Sequence, residues 1–464
     1  MSTITHRKRS RRSDVPVLRV DDLLKHVRVL SREYPHRHAG EPDEHLAAEY
    51  VATVLREIGV TVDVQEVPVM GWELAEAPRL ELLAPIESDL ECAPFIFSGS
   101  TPPEGLEGEL RYVGRSLVAG GFEWDKYALV DEQGQWRAFV VGRPDGPAIA
   151  QSGPPAGLAG VTDAPLYTWP ACVIGSDRLQ EIESFRAAGT PIRVRYQCQA
   201  RFKPGLTSST VRGELLGDQI PNEVIILGSH HDAQGALGFP PAIDSPGAND
   251  NASAVAIFLE LARHYKSVGS SRTLWFCFFG GEERNLMMSR EFARRLVDTG
   301  EINRIIAYVG IDQAANGDIL RLLASTDEPH ITPPIDMRAI LKRVAVELDV
   351  HKRFQTFGPA PLHAASDHWP FYYAGVPSFL TGWHPFPSYH RSGDSLEYCT
   401  ADEKYLAAAN LAIGMLETLL ALGPQQIKPR SWTAGHVTTA ASLTPSTGSL
   451  SATDAGSRTK GGAN

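Results

Sequence analysis

Val224-Ile225-Ile226-Leu227-Gly228-Ser229-His230-His231-Asp232 is a short apolar run that ends on two imidazoles and an acid. The same plan returns at Leu274-Trp275-Phe276-Cys277-Phe278-Phe279-Gly280-Gly281-Glu282-Glu283 and again over 305–311, which leads into Asp312. Unbroken apolar runs of this length suit strands buried on both faces. Helical periodicity fills the gaps between and after them, at residues 252–265, 288–296, 337–348 and 403–422. Repeated strand–helix units predict an α/β fold with a mixed, largely parallel sheet sandwiched by helices. In such sheets sites form at the carboxyl ends of the strands, where these polar residues must stand.

Upstream, residues 1–18 read as a disordered basic tail. Residues 20–33 form an amphipathic helix with Leu23, Leu24, Val27 and Leu30 on one face. A second helix opens at Pro42, with Asp43 and Glu44 in its first turn, and stops at Gly59. A strand follows over 60–67. From 70 to 199 short strand-like runs alternate with Pro- and Gly-rich turns around one helix near 177–188, which predicts a smaller, mostly β domain inserted in the chain. The larger unit is thus discontinuous, 19–69 and 200–424. Residues 425–464, poor in large apolar side chains, are expected to be a disordered tail.

The bulk numbers exclude several classes. A chain of 464 residues, 43% hydrophobic and 21% charged, can bury a sizeable core. A net charge of −11 and a pI near 5.8 argue against nucleic acid or an anionic membrane as the main partner. Five scattered cysteines with no Cys-x-x-Cys pair argue against a disulfide framework and a thiolate metal site. The basic stretch His6-Arg7-Lys8-Arg9-Ser10-Arg11-Arg12 is followed by no apolar run, so a secretory signal is incomplete and the cytoplasm is the expected location.

The polar residues at the strand ends form a candidate metal set. Asp232 lies two residues after His230, where a carboxylate can take the second N–H of a metal-bound imidazole. Asn249-Asp250-Asn251 precedes a helix and could be a pair of caps. That reading accounts for Asn251 but not for the preceding Pro246-Gly247-Ala248 or the extra acid. Glu282 and Glu283 leave a buried strand through two glycines, a costly placement that calls for a cation. One such carboxylate can bind metal while its neighbour takes a proton. Asp312 repeats the strand-end position, and His390 sits in the irregular loop Pro387-Ser388-Tyr389-His390-Arg391-Ser392-Gly393-Asp394. A purely nitrogen and oxygen set suits Zn²⁺, with Mn²⁺ or Co²⁺ as alternatives. Two ions ~3.5–4 Å apart need a bridging carboxylate, and Asp250 is the best placed.

The combination His-x-Asp, Pro-Gly-Ala-x-Asp-x-x-Ser, Gly-Glu-Glu, Asp and Tyr-His resembles the zinc aminopeptidase family of clan MH, over about 23–67 and 209–422. The resemblance implies the zinc-exopeptidase fold and two Zn²⁺. His230 and Asp312 would bind one ion, Glu283 and His390 the other, and Asp250 both. It makes Glu282 the general base, Asp232 the residue that orients His230, and Tyr389 a group that helps hold the tetrahedral intermediate. Ser366-Asp367-His368 also recurs in the family, without an assigned role here. The 70–199 segment resembles the protease-associated domain, on Leu110-Arg111-Tyr112-Val113-Gly114 and Pro170-Ala171-Cys172-Val173-Ile174. Arg284-Asn285-Leu286-Met287-Met288-Ser289 departs from the family's Gly-Leu-Leu-Gly run, which implies an atypical substrate pocket. The expected activity is release of N-terminal residues from peptides. The alternatives are a di-zinc amidohydrolase, deacylase or carboxypeptidase acting on a small amide, and a binding protein with a retired site, as in the transferrin receptor.

Overall fold

A computed structural model describes residues 16–118, 123–151, 169–236, 244–325, 331–332, 335–361, 366–399, 401–423 and 431–432. The expected tails lie outside these residues, apart from 16–18 and 431–432. The main sheet holds eight strands: β1 Thr61–Leu74, β2 Ala200–Leu215, β3 Ile220–His230, β4 Arg272–Phe279, β5 Ile305–Ile311, β6 Ile319–Ala324, β7 Thr356–Pro361 and β8 Ser378–His384. Their order across the sheet is β1-β2-β4-β3-β5-β8-β6-β7. The central block β4-β3-β5-β8 is parallel throughout, and β6 also pairs parallel with β7. The β1–β2, β2–β4 and β6–β8 pairs are antiparallel.

The apolar runs serve both faces because side chains alternate along a strand. Leu274, Phe276 and Phe278 enter one core, while Trp275, Cys277 and Phe279 enter the other. Ile225 and Leu227 divide from Val224 and Ile226 in the same way. The first core is roofed by helices Val20–Arg28, Pro42–Ile58, Ser253–Val268, Met337–Glu347 and Asp402–Leu420. The second takes helices Met287–Thr299 and His368–Tyr373, together with side chains from a second sheet. Full burial of each large apolar side chain contributes roughly 1.5–3 kcal/mol, so both faces hold the central strands in place.

That second sheet spans residues 79–197 and also has eight strands. Most of its pairings are antiparallel, with Trp136–Gly142 and Ala171–Ile174 parallel. The five cysteines are free and buried. Among the described residues no helix is long and apolar enough to cross a membrane.

Some boundaries differ from those expected. The first helix is α-helical only to Arg28 and then widens into a π-turn over Val29–Glu33. There the Ser31 hydroxyl donates to the Val27 carbonyl at 2.7 Å, in competition with the helical ladder. The strand expected over 60–67 continues to Leu74, because β2 pairs with it along its length across a register shift between Val69 and Gly71. Helix Pro42–Ile58 ends as expected, with Gly59 left-handed at φ 86°.

Candidate metal centre

The strand-end residues converge. His230 closes β3, Glu282 and Glu283 follow β4 through Gly280-Gly281, and Asp312 follows β5. Asp250 comes from the loop between β3 and helix Ser253–Val268, and His390 from the loop after β8. Because β3, β4 and β5 run parallel, their carboxyl ends share one edge of the sheet. Gly247 makes the Asp250 loop possible. It is left-handed at φ 60°, and a Cβ there would lie 2.4 Å from the Asp250 carbonyl oxygen and 2.6 Å from Ala233 Cβ.

Two triads result, each with its ligand atoms within 4.8 Å of one another: His230, Asp250 and Asp312, then Asp250, Glu283 and His390. Asp250 belongs to both, one oxygen to each side. Its Oδ1 is 3.3 Å from His230 Nε2, and its Oδ2 is 3.7 Å from His390 Nε2. His230 Nε2 also stands 3.6 Å from Asp312 Oδ1, and His390 Nε2 stands 3.0 Å from Glu283 Oε2. All five side chains are buried. His230 Nε2, Asp312 Oδ1 and Glu283 Oε1 have no hydrogen-bond partner. Buried polar atoms left this way are expensive unless another group takes them up. A cation in each triad would do so, and the nitrogen and oxygen donors fit zinc.

The profile described as Peptidase family M28 matches residues 210–414, the stretch that carries every one of these side chains. Over that stretch the chain is similar to this family. A probable zinc metalloprotease of Pyrenophora teres f. teres is 30% identical over 122 residues, 26% of this chain and 25% of that protein. Aminopeptidase YwaD of Bacillus subtilis is 27% identical over 168 residues, 34% of each chain. The chain thus aligns with only about a quarter to a third of these curated relatives' length. In structure it is similar to the aminopeptidase from Aneurinibacillus sp. strain AM-1, with a TM-score of 0.62 at 23% identity over 89% of this chain and 97% of that one. BSAP, a zinc aminopeptidase from Bacillus subtilis, gives 0.58 at 19% identity over 89% and 98%. These likenesses establish the fold.

Around the two triads stands a layer of orienting contacts. His230 Nδ1 lies 3.3 Å from both Asp232 Oδ1 and the Asp232 carbonyl, so Nδ1–H donates and Nε2 faces the carboxylates. The Asp232 carboxylate also accepts the main-chain N–H groups of Glu282 and Glu283, each at 3.2 Å. One side chain therefore aligns His230 with both glutamates. His390 Nδ1 donates at 3.2 Å to the Ala150 carbonyl, a group supplied by residues next to the second sheet. His231 turns away from the centre and pairs with buried Glu44 at 2.8 Å.

Electrostatics make the same demand for a cation. Burial, reinforced by Glu283 and Asp312, pushes Glu282 well above the usual carboxylate range, with His230 opposing. Burial also raises Glu283, against the pull of His390. Burial would lower His230, but Glu282, Asp232, Asp250 and Asp312 outweigh it and pull the imidazole well above its ordinary value. Burial likewise pushes Asp367 up to about 7. Protons held this firmly mark negative charge gathered where water cannot screen it.

Two residues of the centre, Asp394 and Arg37, were not singled out in the sequence. Asp394 is fully buried, accepts from the main-chain N–H groups of Asn249 at 2.7 Å and Asp250 at 3.0 Å, and is pushed up to about 7 by burial and the nearby Asp250 charge. Buried Arg37 donates to the carbonyls of His231, Tyr34, Pro246, Gly247 and Leu30, tying the end of β3 to the Asp250 loop. Asn251 is not a helix cap. Its side chain donates to the Ile311 carbonyl and accepts from Gln313 N, because β5 offers it partners that the helix start does not. Tyr389 stacks on the His390 ring, centroids 3.8 Å apart, and packs against apolar side chains of the second sheet. In the Arg284–Ser289 segment Asn285 and Leu286 are both at positive φ, and helix Met287–Thr299 begins directly after them.

Proposed function

We propose that this chain is a di-zinc aminopeptidase that removes N-terminal residues from peptides. The observation that carries the reading is the pair of buried triads joined through Asp250. His230 and Asp312 would hold one zinc, Glu283 and His390 the other, and Asp250 both. When bound, the ions would supply Lewis acidity, polarising the scissile carbonyl and acidifying the attacking water.

The chain's own groups do the rest. Glu282 lies outside both triads, with its side chain 12% exposed and its Oε2 3.9 Å from His230 Nε2. It can take the water's proton and hand it to the leaving amine. Asp232 keeps His230 in the tautomer whose Nε2 faces the metal side. Tyr389, fixed by stacking on His390, is the proposed donor to the oxygen that gains charge at the carbonyl carbon. Residues 70–199 are proposed as an inserted protease-associated-like domain that also supplies the Ala150 carbonyl beneath His390.

The test is one mixture of free peptides, N-blocked peptides and acyl-amino acids, incubated with zinc-loaded protein or with Glu282→Ala and read by mass spectrometry. Stepwise loss of N-terminal residues from unblocked peptides alone, absent in the variant, is the expected result. Turnover confined to blocked or acylated compounds would replace the reading with an amidohydrolase.

A further inference from the structure

Gln313 carries an unusual number of constraints for a residue outside both triads. It follows Asp312 directly, is buried, and has φ 65°. A side chain other than glycine adopts this conformation rarely, and it is held here by an anchor at each end. The main-chain N–H donates to Asn251 Oδ1 at 3.2 Å. The side-chain oxygen lies 3.4 Å from Arg321 Nη2 and 3.3 Å from His384 Nδ1, two groups that donate to it. With the oxygen occupied on that side, the amide nitrogen must face the other way. There it donates to Asp250 Oδ2 at 3.1 Å.

Asp250 Oδ2 is the oxygen on the Glu283–His390 side, whereas Oδ1 faces His230. Arg321 reinforces the arrangement, because its Nη2 also donates to the Asp312 carbonyl at 2.6 Å. Resting on the di-zinc reading, we infer that Gln313 is a positioning residue. It fixes the rotation of the shared carboxylate and acts chiefly on the half of the centre formed by Glu283 and His390. It touches no reacting atom, and its effect on the centre runs chiefly through Asp250.

The test isolates each half of the centre. His390→Ala keeps the His230–Asp312 half, and His230→Ala keeps the Glu283–His390 half. Gln313→Met, close in length and without a donor, is placed in each background and in the otherwise unchanged chain. Zinc dissociation constants are read by competition with a chromophoric chelator, and Co²⁺ visible spectra report the ligand field. Losing a partner of a metal ligand typically weakens metal binding by about ten- to a hundredfold. That loss, with a shifted Co²⁺ spectrum, is expected in the His230→Ala background, against less than about threefold in the His390→Ala background. Equal effects in both, or none in either, would overturn the inference. An otherwise unchanged chain that bound fewer than two ions would instead overturn the di-zinc reading, and melting curves of the zinc-free variants show that each is folded.

Discussion

Asp232→Asn is the sharpest single perturbation of the centre. The wild-type carboxylate receives His230 Nδ1 at 3.3 Å and the Glu282 and Glu283 N–H groups at 3.2 Å each, with no access to water. An amide keeps one accepting oxygen and turns an NH₂ group toward a donor. At least one buried N–H then loses its acceptor, which costs about 1–3 kcal/mol. The stability of the zinc-free protein feels an opposing effect, because the substitution also removes one negative charge from a crowd of carboxylates. Zinc affinity has no such offset: lower charge and a less basic, less firmly held His230 both weaken it. An orienting partner of a metal ligand is worth about ten- to a hundredfold in affinity, or roughly 1.4–2.8 kcal/mol. Competition with a chromophoric chelator reads this directly, alongside melting curves with and without zinc. Affinity within twofold of the unchanged protein would refute the claim that Asp232 holds His230 in register.

Three further outcomes are expected. Stripping the protein with a chelator should lower its melting temperature and zinc should restore it, since an ion at a thousand times its Kd adds about 4 kcal/mol of stability; equal melting of both forms by calorimetry would count against bound metal. Glu260 is held below its ordinary 4.5 by the His26 side chain, whose Nε2 is 3.1 Å away. A depressed carboxylate stabilises fully above 4.5 and loses that contribution as pH falls from there through its folded value, so Glu260→Gln should flatten the melting-temperature profile between 4.5 and that lower value; an unchanged profile would exclude the contact as a source of acid sensitivity. Arg37→Met strands buried carbonyls at about 1–3 kcal/mol each and should give a protein that folds poorly or melts far lower. A melting point within a degree or two of wild type would show that the guanidinium is dispensable.

The central strands and the acids beyond them were legible because burial on two faces leaves an unmistakable apolar run, and a charged residue at its end has few other reasons to be there. The edges were less so. Lys203-Pro204-Gly205 hid strand β2, whose pairing with β1 accommodates them at an irregularity, and β6 and β7 are short runs that form only by pairing with neighbours distant in sequence. Within the centre, the residues missed are those whose purpose depends on direction. Asn251 reads as a cap until β5 is seen beside it, Gln313 has no pattern of its own, and Asp394 works on main-chain N–H groups that no letter of the sequence marks.

The contact beneath His390 has an evolutionary corollary. Its acceptor is the main-chain oxygen of Ala150, and every amino acid carries that oxygen. Selection can therefore preserve the contact while letting the identity at this position drift, provided the backbone keeps its path. A comparison of homologous sequences would pass over residue 150 as unremarkable, and an alanine scan would leave it untouched. The imidazole's neighbour is inherited as a shape, and only superposed structures would reveal the inheritance.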